Sequence, residues 1–314
     1  MKNEQAFLKL IDDYIAAGVF PGCEFAILEN GKIHQYIRGN QAILPEPKEL
    51  EAAKNWDLAS VSKVVGTGTA IINLILEDQL DIEAPLRRYY PDFHDDSVTL
   101  RQLLTHTTGI NPFIKNRDQL DFAGLKQAID QIEVTTNKTC LYTDINFILL
   151  GFMLEKIYDQ ALDQIFEEQV FKAWKMTKTQ FGPVENAVPT SLETAVGTVH
   201  DPKARILLNH CGSAGLFAPM TDLIKFVQGY FSDEKYLKLV RNFAKGARER
   251  SLAWDLLKGE WLLHTGYTGT FILMNLRTKK AVIFLSNRVH LKDERDKWIA
   301  DRDILIEKLI ENLG

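Results

Sequence analysis

Nowhere in the chain do Lys and Arg gather into a block of five or six, and 37 basic against 42 acidic residues leave a formal charge of −5. An electrostatic footprint for nucleic acid or an anionic membrane is therefore missing, and small molecules or proteins are the expected partners. Cysteine is scarce too: Cys23, Cys140 and Cys211 are odd in number and widely spaced. That suits reduced core thiols better than a disulfide framework or a zinc site. The seven histidines contain no His-x-x-x-His spacing, which speaks against a metallohydrolase. No Gly-x-Ser-x-Gly occurs, and Ser213 has Cys211 two places before it, which speaks against a nucleophile elbow. Repeats and low-complexity linkers are absent. The opening MKNEQAFLKLIDDYIAAG carries charge throughout rather than the apolar core of a signal peptide, and no apolar run is expected to reach the ~18 residues of a membrane span. The expectation is a cytoplasmic chain without cofactor or metal.

What is present is a globular composition: 314 residues, 46% hydrophobic and 25% charged, enough for one large or two modest domains. Residues 4–17 place Phe7, Leu8, Ile11, Tyr14 and Ile15 at helical spacing before Gly18. Residues 23–28 and 32–37 flank Asn30-Gly31, the dipeptide best suited to the two positive φ angles of a type I′ hairpin. Toward the other end, residues 251–257, 260–263, 270–276 and 281–285 read as strands, and residues 293–313 as a closing helix. Neither set of strands is a comfortable domain alone, so the ends are expected to meet in one α+β unit: a five-stranded antiparallel sheet flanked by the N- and C-terminal helices. Helical segments at 63–76, 100–104, 120–132, 145–158, 162–174 and 221–231 lie between them. The expected organisation is a discontinuous sheet domain, 1–56 and 250–314, interrupted by a mainly helical domain, 57–249, with a cleft at the join.

Chemistry enters at Leu58-Ala-Ser-Val-Ser-Lys-Val64, where Lys63 is the one charged residue between Leu58 and Leu76. A buried ammonium must find a partner or lose its proton. Ser60, three residues earlier, shares its helical face, whereas Ser62 points well around the helix. Serine beside a desolvated lysine of lowered pKa is one way to make a nucleophile without histidine. A capping serine next to a snorkelling lysine is the commoner meaning of the pattern, so it needs company. Two further segments supply it. Tyr142 stands just before an apolar helix, where a phenol beside a cation can pass a proton, and His264-Thr265-Gly266 is expected on an edge strand made narrow by Gly266 and open to an approaching substrate. Thr105-His-Thr-Thr-Gly109 reads only as a helix stop.

Together these segments resemble the serine β-lactamase and penicillin-binding-protein superfamily, particularly class C β-lactamases and their relatives among D-alanyl-D-alanine carboxypeptidases and serine esterases. The Ser-x-x-Lys of that family is Ser60 to Lys63, its Tyr-x-Asn is Tyr142-Thr143-Asp144, and its Lys-Thr-Gly is His264-Thr265-Gly266. Residues 98–109 and 212–217 extend the likeness over nearly the whole chain. The resemblance implies a helix-covered antiparallel sheet with the site at its join with a helical region. It also implies that Ser60 attacks a carbonyl, that Lys63 and Tyr142 share its proton, that the Ser60 and Tyr267 N–H groups form the oxyanion hole, and that an acyl-enzyme is then hydrolysed.

Two positions depart from the pattern. Asp144 replaces an amide that donates to the substrate, which a carboxylate cannot do. His264 replaces a permanent cation; a histidine of ordinary pKa is mostly neutral near pH 7 and gains charge only as pH falls through about 6.5. The expected activity is therefore hydrolysis of a small-molecule ester, amide or peptide, more esterase-like than an efficient β-lactamase. Carboxypeptidase or β-lactamase activity is the alternative, and a non-catalytic binding or sensing domain a further one. The oligomeric state is not legible.

Overall fold

The computed structural model describes residues 4–246 and 248–314. Among these, ten strands follow one another: β1 Gly22–Glu29, β2 Lys32–Ala42, β3 Lys48–Glu49, β4 Trp56–Asp57, β5 Gln180–Phe181, β6 Leu216–Ala218, β7 Asp255–Leu257, β8 Trp261–Thr265, β9 Phe271–Asn275 and β10 Lys280–Ser286. Seven of them form one antiparallel sheet in the order β3-β2-β1-β10-β9-β8-β7, so strands from the two ends of the chain meet at β1 and β10. The β1–β2 hairpin turns at Asn30 and Gly31, both left-handed at φ 52° and 73°, as a type I′ turn requires.

Five strands was an undercount. All four C-terminal segments join the sheet, though β7 for three residues only. β3, two residues just beyond Pro45 and Pro47, adds the far edge against a bulged end of β2. A second, three-stranded sheet, β4-β6-β5, was not expected at all. Strands of two or three residues are too short to show alternation, so only their pairing reveals them.

Period-two alternation divides the large sheet into two faces. Phe25, Ile27, Leu263, Phe271, Leu273, Val282 and Phe284 pack under the terminal helices Glu4–Ala16 and Arg295–Leu313. Ala26, Leu28, Leu262, Ile272, Met274, Ile283 and Leu285 join a core that continues into the helical region. His264 follows Leu263, so it shares the face of Leu262 and points at the helical region, while Thr265 lies on the side of the C-terminal helix.

Ala59–Leu76 is a single helical stretch of 18 residues, long and apolar enough by length and composition to cross a membrane, and 78% of it is buried among other elements. The expectation that no run reaches that length is corrected accordingly. The stretch opens with a 3-10 turn at Ala59–Val61, widens to π geometry over Lys63–Gly68 and continues as α-helix from Thr69. Such π segments cluster at functional sites.

Candidate active site

Ser60 sits in the opening turn of that helix, and the residue before it is strained: Ala59 adopts φ 46°, a left-handed conformation that costs a non-glycine residue about 1 kcal/mol or more. The strain is held from both sides. The buried Asp57 carboxylate accepts the Ala59 N–H at 2.9 Å and the His200 N–H at 2.8 Å. Burial pushes its pKa up to about 6, against those two donors. From the sheet, Thr270 donates its hydroxyl to the Leu58 carbonyl at 3.0 Å and Thr268 to the Asp57 carbonyl at 2.9 Å. Gly266 lies so close that a Cβ there would stand 2.7 Å from the Leu58 carbonyl oxygen and 2.1 Å from Thr270 Oγ1. Glycine is what lets the β8–β9 turn approach the nucleophile segment.

Of the two serines, Ser60 faces the cleft, whereas Ser62 is buried and its Oγ accepts the Leu216 N–H at 3.1 Å. Lys63 is wholly buried and its ammonium makes three bonds: to Ser60 Oγ at 2.8 Å, Asp144 Oδ1 at 2.7 Å and the Ser213 carbonyl at 3.0 Å. Burial alone would depress its pKa, but the Asp144 carboxylate and the Tyr142 hydroxyl outweigh burial and hold it above the ordinary lysine value. The expected neutral, pKa-lowered lysine is thus corrected: Lys63 rests as an ammonium, because its partner arrives from a distant loop. Asp144 in turn is held well below the usual carboxylate range; burial opposes this, and Lys63 and Lys203 overcome it. Lys203 Nζ bonds the other Asp144 oxygen at 2.9 Å and reaches Asp201 Oδ2 at 3.3 Å.

Tyr142 is half-exposed above Lys63, whose Nζ lies 5.2 Å from its ring centroid. Its seat is His106, the left-handed cap of the helix Leu100–Thr105. The His106 carbonyl accepts the Leu141 N–H at 2.9 Å, its Nδ1 accepts the Thr143 N–H at 3.4 Å, and its ring lies 4.4 Å from that of Tyr142. Asn146, whose Oδ1 is occupied by Thr108, donates its amide to the same Nδ1 at 2.9 Å. Nδ1 is therefore an acceptor and the imidazole neutral; burial, then the charges of Arg250 and Lys63, lower its pKa well below 6.5. The segment read only as a helix stop is also the support of Tyr142.

On the opposite wall, β7 ends its pairing opposite Leu263, so His264 and Thr265 have no strand on the cleft side; β8 is an edge only there, not along its length. His264 is buried and, among the described residues, neither ring nitrogen has a hydrogen-bond partner. Burial first, then Lys63 and Arg250, lower its pKa well below 6.5. Protonation near pH 6.5, expected for an ordinary histidine, does not apply. Tyr267 is stacked on His200 at 5.6 Å between centroids, with the Arg288 guanidinium 4.7 Å over its ring.

These residues line a cleft with two lobes. One, about 620 Å³, is bordered by Ser60, Tyr142, His264, Thr265, Gly266 and Tyr267, with Trp298 and Arg302 from the C-terminal helix behind. The other, about 570 Å³, shares Ser60, Tyr142 and Tyr267 and adds Asp144, Asp201 and Lys203. Each of the candidate site residues Ser60, Tyr142, Asp144, His264, Thr265, Gly266 and Tyr267 borders one of them, and buried Lys63 touches Ser60 from beneath. Sequence reasoning missed Lys203, Asp201 and His106; only the Asp201-Pro202 helix start gave a local signal.

A hydroxyl hydrogen-bonded to a lysine, beneath a phenol and beside an open strand edge, is an arrangement for acyl transfer to serine. The Beta-lactamase family model matches residues 7–306. The chain belongs to the β-lactamase family. It is 22% identical to the N-acetylmuramyl-L-alanine amidase of Bacillus subtilis (strain 168), over 90% of this chain and 80% of that one. It is 24% identical to a "Putative D-alanyl-D-alanine carboxypeptidase" of Escherichia coli (strain K12), over 79% and 72%. A class C β-lactamase crystal structure superposes with a TM-score of 0.77, covering 98% of this chain and 99% of that one at 16% identity, a likeness of fold. This β-lactamase-family member is a serine hydrolase.

The Lys63–Asp144–Lys203 cluster ties stability of the hydrolase to pH. Because Asp144 has a depressed pKa in the fold, its stabilisation is present above the unfolded value, about 3.9, and is lost as pH falls through the lower folded value. Asp144→Asn should therefore be clearly less stable than wild type at pH 7. Urea titrations at pH 7, 5, 3.5 and 2.5 should show the gap constant from pH 7 to 5 and narrowing only below about 3.9; a gap that stays unchanged down to pH 2.5 would mean that the Asp144 charge contributes nothing.

Proposed function

We propose that this hydrolase cleaves an ester or amide through an acyl-enzyme on Ser60 and prefers uncharged esters to carboxylate-bearing substrates. The contact that carries the reading is Lys63 Nζ to Ser60 Oγ at 2.8 Å, within the cleft. At rest the Lys63 ammonium donates to Ser60, so the Lys63–Tyr142 pair must first release one proton to solvent. Ser60 Oγ then attacks the carbonyl carbon, its proton passes to the pair, and the oxyanion is met by the N–H groups of Ser60 and Tyr267. The pair returns the proton to the leaving oxygen or nitrogen as that bond breaks, and water repeats the sequence on the acyl-enzyme.

The ester preference rests on His264, which offers a substrate carboxylate no charge. A carboxypeptidase or β-lactamase reading is favoured by the names of the relatives and by Arg302, whose Nη1 lies 3.4 Å from Thr265 Oγ1 and would supply the cation that His264 lacks. Acylation rates for a matched carboxylic acid and methyl ester from pH 5.5 to 8.5 separate the two. The methyl ester should be preferred at a ratio that stays flat with pH, because His264 remains neutral throughout. His264→Lys should shift the ratio toward the acid by roughly tenfold, the effect of one close charge. A wild-type preference for the acid, unmoved by His264→Lys but lost in Arg302→Met, would assign anion recognition to Arg302 and overturn the ester reading.

A further inference from the structure

We propose that Lys203 is a positioning residue for the proton of the acylation step: by sharing the Asp144 carboxylate with Lys63, it keeps the Lys63–Tyr142 pair able to release a proton. The proposal rests on the acyl-transfer reading of Ser60, and its geometry is a chain of alternating charges. Asp144 Oδ1 holds Lys63 at 2.7 Å and Oδ2 holds Lys203 at 2.9 Å. Lys203 also meets Asp201 Oδ2 at 3.3 Å, and Asp201 is fixed by its other oxygen, which accepts the Ala204 N–H at 2.9 Å and caps the helix Pro202–Leu207. An isolated Lys63–Asp144 pair, withdrawn from water, would grip its proton, since attraction across 2.7 Å is strong in a dry site. The Lys203 ammonium on the opposite oxygen opposes that grip, and Asp201 moderates Lys203.

The other charges are placed so that this balance is local. Facing Lys63 are Tyr142, His264 on β8 and His106 at the end of Leu100–Thr105, and Arg250 acts in turn on the two histidines. Burial and the neighbouring cations lower the pKa of both histidines well below 6.5, so they favour the neutral form and add no switch of their own. Arg117, Arg295 and His200 border the same lobe as Lys203, and Asp118 and Arg205 lie further out. Asp201 itself faces His200, buried Asp57, whose pKa is pushed up to about 6, and the Cys211 thiol, so the Asp57 proton is lost at the acid edge of the range and the limb is compared above pH 7.

The sign of each change follows. Removing the Lys203 charge makes proton release from the pair harder; removing the Asp201 charge makes it easier. Acylation of Ser60 by a neutral p-nitrophenyl ester should be followed from pH 6 to 10 in wild type, Lys203→Met, Lys203→Arg and Asp201→Asn, the last keeping a side chain that caps helices. Lys203→Met should move the rising limb up by about one pH unit, a roughly tenfold loss at any pH on that limb. Asp201→Asn should move it down, a gain of about threefold, and Lys203→Arg should stay within about twofold of wild type. Losses in both Lys203→Met and Asp201→Asn, or a loss with the limb unmoved, would overturn the proposal, since damage to the fold lowers both. If Lys203→Met does not fold, the gain in Asp201→Asn decides alone.

Should no ester acylate Ser60 in wild type, the hydrolase reading fails, and the Lys63 Cε resonance, assigned by its loss in Lys63→Arg, still tests the balance. Its titration should begin at lower pH in Asp201→Asn than in wild type and no earlier in Lys203→Met. Identical behaviour in all three through pH 11 would overturn the role of Lys203.

Discussion

Ser60→Ala is expected to abolish turnover of activated esters, by at least ~10⁴-fold, and to abolish labelling by a fluorophosphonate, because the attacking oxygen itself is removed. Ser62→Ala should keep labelling and turnover within a few-fold, although it is the closer neighbour of Lys63 in sequence. Its Oγ is turned away and engaged by the Leu216 N–H at 3.1 Å. The cost of losing that buried bond should appear in stability instead, on the order of 1–3 kcal/mol. The two variants therefore separate cleanly: one dead and as stable as wild type, one active and weakened. Label retained in Ser60→Ala, whether on Ser62 or Ser213, would mean that the helix presents a different hydroxyl to the cleft.

The second large effect concerns Lys63. Lys63→Met keeps the length of the side chain but removes the donor to Ser60 and leaves the Ser213 carbonyl and Asp144 Oδ1 without the ammonium that each now meets. Acylation should fall by roughly 10³-fold, as for loss of a positioned general base. Stability should fall as well, by roughly 3–5 kcal/mol, because one half of a buried pair remains. Lys63→Arg separates the two losses. Its guanidinium keeps the charge opposite Asp144 but cannot take up a proton at neutral pH, so the rate should stay about as low as in Lys63→Met while part of the stability returns. Acylation at the wild-type rate in Lys63→Arg would show that Lys63 is a structural cation.

The choice of Ser60 over Ser62 matches what the chain alone implied, whereas the resting charge of Lys63 does not, and the reason is distance along the chain. Local signals were legible: Asn30-Gly31 turned as its residue types require, and the helix over 145–158 has its predicted ends, Ile145–Tyr158. The sheet built from both termini followed from the rule that neither set of strands could stand alone. Ser60 and Lys63 were legible because three residues of helix bring them together. The charge state of Lys63 was not, because Asp144 lies 81 positions away and Lys203 further still. An uncharged flank predicts desolvation, which lowers a lysine pKa, but a single carboxylate arriving from another element reverses the sign. His106 was misjudged for the same reason: the Thr105-His-Thr-Thr-Gly109 segment marks a helix end in sequence, and only the packed loop shows its ring against that of Tyr142. The strands β3 to β6, of two or three residues each, have no periodicity to read.

The central claim, that Ser60 carries a covalent acyl group during turnover, is tested most directly by acid-quenched intact mass after millisecond mixing with a neutral p-nitrophenyl ester, followed by peptide mapping. The account predicts one added acyl group per chain, located on Ser60, forming with the burst of p-nitrophenol and decaying at the rate of turnover. Turnover with no adduct at any quench time, or an adduct on another residue that persists in Ser60→Ala, would contradict it.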